Sequence, residues 1–213
     1  MKYSTLIFDL DGTLTDPVTG IVRCMNYALT THGHAPRSEQ EITPYIGPPL
    51  ELALQDLSGS NDETHIKQLV ARYRERYAEF GYGENTVYDG IHEMLSSFQE
   101  QGIPMGVCTS KLGKYATLVL QQFKLIDYFQ FVSGGGYKVR KQDQLAELLK
   151  AKTIQSDSLM IGDRSFDLIA ARENQIASAG VLWGYGSEAE LKKENPAFLV
   201  KSPAELLDEL SHS

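Results

Sequence analysis

The sequence predicts an α/β protein that has a parallel sheet and a helical segment inserted after the first strand. Short runs rich in apolar residues indicate five strands, at 3–8, 104–108, 129–132, 159–161 and 178–182. The last four alternate with amphipathic helical patterns at 91–101, 113–123, 142–151 and 166–174, and helices at 187–194 and 203–210 close the chain. Strands that alternate with helices in this way are typical of βαβ units, which build parallel sheets.

A long stretch separates the first two predicted strands, although a βαβ unit needs only ~30 residues. The surplus carries helical patterns at 21–31, 50–57 and 63–80. We therefore predict a core domain of residues 1–15 and 86–213 and an inserted helical cap of residues 16–85. An insertion at this point would lie over the carboxyl ends of the strands, where open α/β sheets bind ligands, so we expect it to act as a lid.

Charge and cysteine content exclude several classes of partner. The 213 residues include 28 acidic and 20 basic side chains, which give a formal charge of −8. Nucleic acid polymers and anionic membranes attract clustered basic residues, so neither is expected as a partner. Cys24 and Cys108 are too few for a disulfide framework and fit a reducing cytoplasm. The first apolar run is too short for a signal peptide, and no run approaches ~20 residues.

Two carboxylates follow the first apolar run directly. Asp9 and Asp11 lie two residues apart, and Gly12 comes next. In a strand, residues i and i+2 point to the same face, so a turn at Gly12 would let both face one reacting centre. A calcium loop would need further oxygen ligands and a closing Glu, whereas Thr13 and Leu14 follow here. A polar strand end is the remaining interpretation of so short a pattern.

Context favours a catalytic site over a plain strand end. Three other polar clusters also follow apolar runs, at 108–111, 134–141 and 162–167. The carboxyl ends of parallel strands lie along one edge of a sheet, where they form a ligand crevice. The four clusters can therefore share one crevice.

With these clusters the chain resembles the haloacid dehalogenase superfamily of phosphatases. The motifs that match in order and spacing are Asp9-Leu10-Asp11-Gly12-Thr13-Leu14, Thr109-Ser110-Lys111, Lys141 and Gly162-Asp163-Arg164-Ser165-Phe166-Asp167. The helical insert is similar to the C1 cap of that superfamily, and the whole pattern looks like its phosphoglycolate phosphatase-like or 5′-nucleotidase-like branch. The resemblance implies a Rossmann-like core.

The charges in these motifs are unbalanced without a cation. Asp9, Asp11, Asp163 and Asp167 would place four carboxylates against the single ammonium of Lys141. Like charges at ~4 Å repel by several kcal/mol at intermediate dielectric. A divalent cation must therefore join them, and oxygen-only ligands beside a phosphate favour Mg²⁺.

The resemblance implies a role for each aspartate. Asp9 would attack phosphorus and form an aspartyl-phosphate. Asp11 would act as general acid and then general base, while its backbone carbonyl binds the metal. Asp163 would bind Mg²⁺ directly. Asp167, one helical turn further on, would make a water-mediated contact or orient the first ligand.

The resemblance also implies which residues hold the phosphate. Thr109, the backbone N–H of Ser110 and the ammonium of Lys141 would contact its oxygens. Lys141 opens a predicted helix, whose N-terminal end favours anions. Many relatives follow this lysine with proline, whereas Gln142 stands here. That departure weakens an assignment to a particular substrate but leaves the chemistry unaffected.

For residues outside the four motifs, the sequence predicts functional roles less firmly. We expect Lys138 and Arg140 to be solvated surface residues, and Arg23 to be a surface arginine rather than a contact to a substrate anion. The loop 45–50 either reaches over the site or simply connects two helices, and the loop 183–186 is expected to border the crevice. His32 and His34 flank a glycine at a predicted helix end, where we expect a polar cap rather than a metal site.

The predicted activity is cytoplasmic hydrolysis of a small soluble phosphate ester, by a monomer or homodimer. Phosphoglycolate and nucleoside 5′-monophosphates are the first candidates by resemblance, and an acid at position 11 counts against carbon–halogen hydrolysis. Two alternatives remain. A β-phosphoglucomutase-like enzyme would share both aspartates, and a catalytically silent phosphate-binding module would keep the fold alone.

Overall fold

The computed structural model describes residues 2–136 and 139–211. It divides into two compact units, one formed by the residues up to Thr15 together with those from Val87 onward, and the other by Asp16–Thr86. Each unit has its own hydrophobic core. Within the part of the chain that the structure describes, none of the helices combines the length and apolarity that a membrane span requires.

The first unit is built around a six-stranded sheet in the order β5-β4-β1-β6-β7-β8. Its strands are β1 Leu6–Phe8, β4 Met105–Leu112, β5 Phe131–Gly135, β6 Leu159–Gly162, β7 Ala177–Val181 and β8 Phe198–Val200. All neighbouring pairs run parallel. The predicted α/β class with a parallel sheet is therefore confirmed.

Helices follow most of these strands. They are α5 Ile91–Glu100, α6 Gly113–Gln122, α7 Lys141–Lys150, α8 Ser165–Glu173, α9 Glu188–Lys192 and α10 Pro203–Ser211, with a 3₁₀ turn at Ile126–Tyr128. Leu6, Ile7 and Phe8 are all fully buried, so β1 shows no alternation between its faces. A continuous apolar strand of this kind is expected where both faces of a parallel sheet are covered.

The register of β1 decides what meets at its end. Leu6 pairs with Met105 on one side and with Leu159 on the other, and Phe8 pairs with Val107 and Ile161. The ends of β1 and β6 are therefore nearly level, whereas β4 continues past them to Leu112. This alignment also explains why β1 begins at Leu6 rather than at residue 3 as predicted, because its partners β4 and β6 begin only there.

The second unit is helical. It contains α1 Val18–Thr31, α2 Glu39–Ile42, α3 Leu50–Ser58 and α4 Glu63–Glu79, with 3₁₀ turns at Thr43–Tyr45 and Gly81–Gly83. Short strands β2 Thr15–Asp16 and β3 Thr86–Val87 form a two-stranded sheet where the chain passes between the units. The core of this unit is apolar and includes Met25, Leu29, Leu54 and Leu69.

Candidate active site

Asp9 lies directly after β1, where the chain leaves the sheet. Its backbone N–H donates to the Ile161 carbonyl at 2.9 Å, so the aspartate keeps the strand pairing while its side chain is 10% exposed. The chain then turns, and Gly12 adopts a φ of +87°, which favours glycine. A side chain at Gly12 would also collide with the Asp163 carboxylate. The tight turn therefore brings the first and fourth motifs together.

Three aspartates converge at the ends of β1 and β6. Carboxylate oxygens of Asp9, Asp163 and Asp167 lie within 4.8 Å of one another, and all three residues are buried. We call these residues the acidic cluster. Burial raises the pKa of Asp163 and of Asp167, and repulsion among the three carboxylates adds to that shift. The cluster therefore concentrates negative charge where water does not screen it.

Hydrogen bonds fix the orientation of the two aspartates that follow β6. Asp163 accepts from the Thr13 hydroxyl at 3.1 Å and from the backbone N–H of Tyr185 at 2.9 Å. Asp167 accepts from the Arg164 backbone N–H at 3.0 Å, which caps the start of α8. Both carboxylates are thus held by groups that donate to their ionised form.

Lys141 supplies the positive charge beside the acidic cluster. It opens α7, its side chain is 4% exposed, and it forms ion pairs with Asp167 and, at 2.9 Å, with Asp9 Oδ1. Burial alone would lower the pKa of this lysine, but Asp167 and Asp9 outweigh burial and raise it. The ammonium is therefore permanently charged. Of the other two basic residues of this segment, Arg140 pairs with Asp143 at the surface, and Lys138 lies outside the described residues.

Asp11 has a different partner from Asp9. Its carboxylate forms an ion pair with Lys111, whose side chain is 8% exposed. Burial raises the pKa of Asp11, while the charge of Lys111 opposes that rise. The two aspartates of the first motif therefore meet two different lysines. The sequence pattern contained Lys111 but gave it no role.

The second motif lies at the end of β4. Thr109 is buried and its hydroxyl accepts from the Lys111 backbone N–H at 3.3 Å, while Ser110 is exposed. The pairing of β4 with β5 shifts register between Thr109 and Leu112. The roles of Thr109 and Ser110 in holding phosphate stay predictions, although the strand order places both residues beside the end of β1.

Gln144 and the loop 183–186 support the site in ways that the sequence did not predict in detail. Gln144, one turn beyond Lys141, donates to the Thr109 carbonyl at 3.2 Å and to the Ser133 carbonyl at 3.1 Å. Trp183 Nε1 donates to the Thr13 carbonyl at 2.9 Å. A side chain at Gly184 would collide with Gly12 and Asp163, so only glycine lets this loop pack against the turn. The loop therefore braces the first and fourth motifs.

The donor set of the acidic cluster fits a hard divalent cation. Three carboxylates face one ammonium, and Asp9 Oδ1 is buried without making a hydrogen bond of good geometry, although Lys141 Nζ lies near it. Carboxylate oxygens are the ligands that Mg²⁺ prefers. The side chain of Asp11 does not belong to the cluster, so any contribution of Asp11 to a metal would come through its backbone carbonyl.

Arg23 lies in the second unit and is 59% exposed along its side chain. It pairs with Glu84 at 2.7 Å, and Glu84 also accepts two hydrogen bonds from Arg76. Arg23 is therefore a surface arginine that joins a local ion-pair network. This agrees with the expected surface position of Arg23, and both interpretations of the loop 45–50, a contact to the site or a plain connector, stay predictions.

Comparison with known proteins identifies the family of the chain. The model of the haloacid dehalogenase-like hydrolase family matches residues 6–181. The chain is 36% identical over 200 residues to a 5′-nucleotidase from Pseudomonas aeruginosa, which covers 92% of this chain and 90% of that protein. A crystal structure described as a predicted phosphatase from Clostridium acetobutylicum superposes with a TM-score of 0.92 and 34% identity, with all of both chains covered.

The relatives carry several names. The chain is 33% identical over 211 residues to tyrosine-protein kinase PtkA of Mycobacterium tuberculosis, which covers 96% of this chain and 70% of that protein. It is 29% identical over 214 residues to a phosphoglycolate phosphatase of Vibrio parahaemolyticus. The chain belongs to the haloacid dehalogenase-like hydrolase family. The predicted enzyme class, a hydrolase of this family with phosphatase relatives, is thereby confirmed.

Proposed function

We propose that this enzyme is a Mg²⁺-dependent phosphomonoesterase that acts through an aspartyl-phosphate on a small soluble phosphate ester. The observation that carries the proposal is the environment of Asp9. Its carboxylate is buried next to the Lys141 ammonium. Its Oδ1 accepts no hydrogen bond of good geometry, so a lone pair on this oxygen can attack phosphorus. A carboxylate in this state is available as a nucleophile.

The first half of the reaction forms a bond between Asp9 and phosphorus. As that bond forms, the bond from phosphorus to the leaving oxygen breaks, and protonated Asp11 gives its proton to that oxygen. Lys141 neutralises charge on the phosphate and on Asp9, because its ammonium lies between Asp9 and Asp167. Thr109 and the backbone N–H of Ser110 orient the phosphate oxygens.

The second half returns the enzyme to its starting state. Asp11, now ionised, takes a proton from a water molecule, whose oxygen attacks the phosphorus and releases the Asp9 carboxylate together with inorganic phosphate. A divalent cation held by Asp9, Asp163 and the Asp11 carbonyl would neutralise the phosphate oxygens. Asp167 accepts hydrogen bonds from Lys141 and from the backbone N–H of Arg164 at the start of α8. These contacts support a role in orienting the metal ligands rather than in binding the metal directly.

The substrate is proposed from the relatives and from the charge of the site. The proteins named 5′-nucleotidase and phosphoglycolate phosphatase support nucleoside 5′-monophosphates and phosphoglycolate as the first candidates. A small soluble ester also fits the formal charge of −8, which disfavours polyanionic partners. A cytoplasmic location and a monomeric or dimeric state stay predictions of the sequence.

The test is phosphate release from a panel of esters, each with Mg²⁺ and with EDTA. The panel holds phosphoglycolate, nucleoside 5′-monophosphates, hexose phosphates, phosphotyrosine and p-nitrophenyl phosphate. We expect release from at least one ester with Mg²⁺, loss in EDTA and recovery when Mg²⁺ is added back. Full activity in the chelator would refute the role of the metal.

Asp9→Asn tests the nucleophile. The amide has the same shape but a much weaker nucleophilic oxygen, so we expect kcat to fall by at least about 10³-fold while the fold is retained. Asp127→Asn is the matched control, because Asp127 is an exposed aspartate of the same unit and should leave kcat unchanged. Near-wild-type turnover by Asp9→Asn would rule out Asp9 as the nucleophile.

A second candidate is transfer of the phosphoryl group to an acceptor other than water. The similarity to a protein named tyrosine-protein kinase PtkA supports this candidate. A phosphosugar mutase would also transfer the phosphoryl group to an acceptor other than water. Incubation of the enzyme with a labelled phosphate ester and a sugar or tyrosine acceptor separates the candidates. Label that moves to the acceptor without release of inorganic phosphate identifies the transferase, and free phosphate identifies the hydrolase.

A further inference from the structure

Three of the five histidines of the chain lie together in the second unit. His32 directly follows α1 as its C-terminal cap residue, and His34 comes two residues later. His65 lies in the first turn of α4. We call these three residues the histidine cluster. It lies in the helical unit and shares no residue with the acidic cluster.

The closest pair in the histidine cluster meets nitrogen to nitrogen. His34 Nε2 and His65 Nε2 are 2.8 Å apart, and the two ring centroids are 5.1 Å apart. At this distance one nitrogen carries a hydrogen and the other accepts it. The two rings therefore already point the same type of nitrogen at one small volume.

His32 completes the cluster from the side of α1. Its ring centroid lies 5.6 Å from that of His65. Its Nδ1 lies 3.2 Å from the Ala28 carbonyl, which only accepts hydrogen bonds, so Nδ1 carries the hydrogen. Nε2 of the neutral ring is then the nitrogen with a lone pair.

We propose that the histidine cluster binds a first-row transition-metal ion, with Zn²⁺ as the natural occupant, through Nε2 of His34, His65 and His32. Imidazole nitrogen suits zinc, nickel and copper, whereas Mg²⁺ prefers oxygen. Two nitrogens bound to one tetrahedral zinc at ~2.0–2.1 Å lie about 3.3 Å apart. The pair His34–His65 reaches this spacing by opening about 0.5 Å. His32 joins by a side-chain rotation that gives up its hydrogen bond to Ala28, and a water molecule takes the fourth position.

The surroundings allow an ion to enter. All three rings are partly exposed, so no backbone movement is needed to reach them. The nearby cation Arg37 is engaged elsewhere, because its guanidinium donates to the Leu57 carbonyl at 2.8 Å and pairs with Glu41. A bound ion would tie the end of α1 to the start of α4. Its expected effect is to stabilise the helical unit, since a ligand that binds only the folded state raises its stability.

The test is calorimetric titration of the whole protein with ZnCl₂ in excess Mg²⁺, which occupies the acidic cluster. We expect one equivalent of Zn²⁺ to bind to the wild type. Replacement of a direct ligand, in His34→Ala, His65→Ala or His32→Ala, should weaken binding by at least about tenfold, since even partners of ligands cost 10–100-fold. His92→Ala is the matched control and should bind like the wild type. His92 lies beside Tyr128 in the other unit.

A second measurement does not depend on the variants. Cu²⁺ added to the wild type in excess Mg²⁺ should give an electron paramagnetic resonance spectrum with hyperfine coupling to imidazole nitrogen. A spectrum with oxygen ligands alone would overturn the proposal. So would a wild type that binds no Zn²⁺, or a double variant His34→Ala/His65→Ala that binds it with unchanged affinity. Unchanged binding by His32→Ala would contradict the three-nitrogen site. None of these outcomes depends on phosphatase activity.

Discussion

The two aspartates after β1 each meet a lysine, and the two ion pairs are built differently. Lys141 is 4% exposed, belongs to the first turn of α7, and is shared between Asp9 and Asp167. Lys111 is 8% exposed, lies near the end of β4, and pairs with Asp11, which is 16% exposed. One ammonium thus balances a buried group of carboxylates, while the other balances a single carboxylate nearer to solvent.

This difference separates two functions of charge. Around Asp9 several charged groups lie close together and are buried from water. The ammonium of Lys141 is therefore needed for the stability of the fold as well as for the reaction. Asp11 forms an ion pair with one lysine, Lys111, and the charge of Lys111 lowers the pKa of Asp11. Asp11 has to gain and lose a proton in the proposed reaction, whereas Asp9 has to stay ionised. The following predictions test whether the two pairs differ in this way.

The largest effect is expected for Lys141→Met. Loss of this ammonium leaves buried carboxylates uncompensated, which typically costs about 3–5 kcal/mol of the free energy of unfolding. Activity should fall by more than about 10²-fold, since the cation beside the phosphate is lost. Urea unfolding and steady-state kinetics measure both. Lys150→Met on the same helix removes an exposed lysine and should change neither. Equal stability of Lys141→Met and wild type would show that the cluster does not need this charge.

Asp163→Asn should have the opposite effect on stability. Among the described residues no lysine forms an ion pair with Asp163, so the substitution removes repulsion from Asp9 and Asp167. The amide oxygen can still accept from Tyr185, and the Thr13 hydroxyl can reverse to accept from the amide. In EDTA we expect Tm to rise by roughly 2–4 °C, which corresponds to about 1 kcal/mol, while activity with Mg²⁺ is lost.

Asp167→Asn is the matched comparison for that prediction. It removes a carboxylate that is paired with Lys141, so we expect no rise in Tm. Differential scanning calorimetry of both variants decides the point. If Asp163→Asn unfolds at a lower temperature than the wild type in EDTA, repulsion within the acidic cluster is not a cost to the fold.

Lys111→Met should change the pH dependence of turnover. Lys111 lowers the pKa of Asp11 against the effect of burial, so its loss raises that pKa. Asp11 must be protonated to act as the acid, and activity therefore falls as pH rises through its pKa. We expect this falling limb to move to higher pH, so that turnover on the alkaline side of the wild-type optimum falls less than in the wild type. Lys111→Arg keeps the charge, and its profile should follow the wild type. A pH profile of Lys111→Met that coincides with that of wild type would argue against the pair.

The smallest effect concerns the histidine cluster in the second unit. Partial burial lowers the pKa of His34, and the neighbouring His65, His32 and Arg37 lower it further. The unfolded chain therefore takes up a proton at higher pH than the folded one, so stability is lost as pH falls below about 6.5. In the absence of transition metals, the drop in Tm between pH 7.5 and pH 5.5 should be smaller for His34→Asn than for wild type. His92→Asn should keep the wild-type drop, and equal drops in all three proteins would contradict the assignment.

Much of the core was predictable from local pattern. All five predicted strands overlap a strand of the sheet, because each is an apolar run bounded by turn residues. The sixth strand, Phe198–Val200, was missed since a run of three residues carries no readable period. The end of β4 was also missed, because its last residues are polar and extend the strand only through pairing with β5.

The candidate site also has features that the sequence predicted and contacts that it could not predict. The sequence placed the motif residues at strand ends and selected Lys141, which opens a helix, as the motif lysine. It could not show that Asp11 meets Lys111, 100 residues away, or that Gln144 supports the Thr109 carbonyl. Nor could it bring His65 to His34, since His34 follows α1 and His65 lies in α4. Each of these contacts depends on how elements pack rather than on spacing along the chain.

The sequence by itself determined the class of the fold and the family, since these follow from periodicity and from motifs that are contiguous in the chain. The tertiary structure alone decided which charges neighbour one another. Parallel register set Asp9 one residue past the level of Val107 in β4 and Ile161 in β6, and burial then made the pairing of each carboxylate matter. Electrostatic energy depends on distance and on solvent exposure, and both are fixed only once the chain is packed.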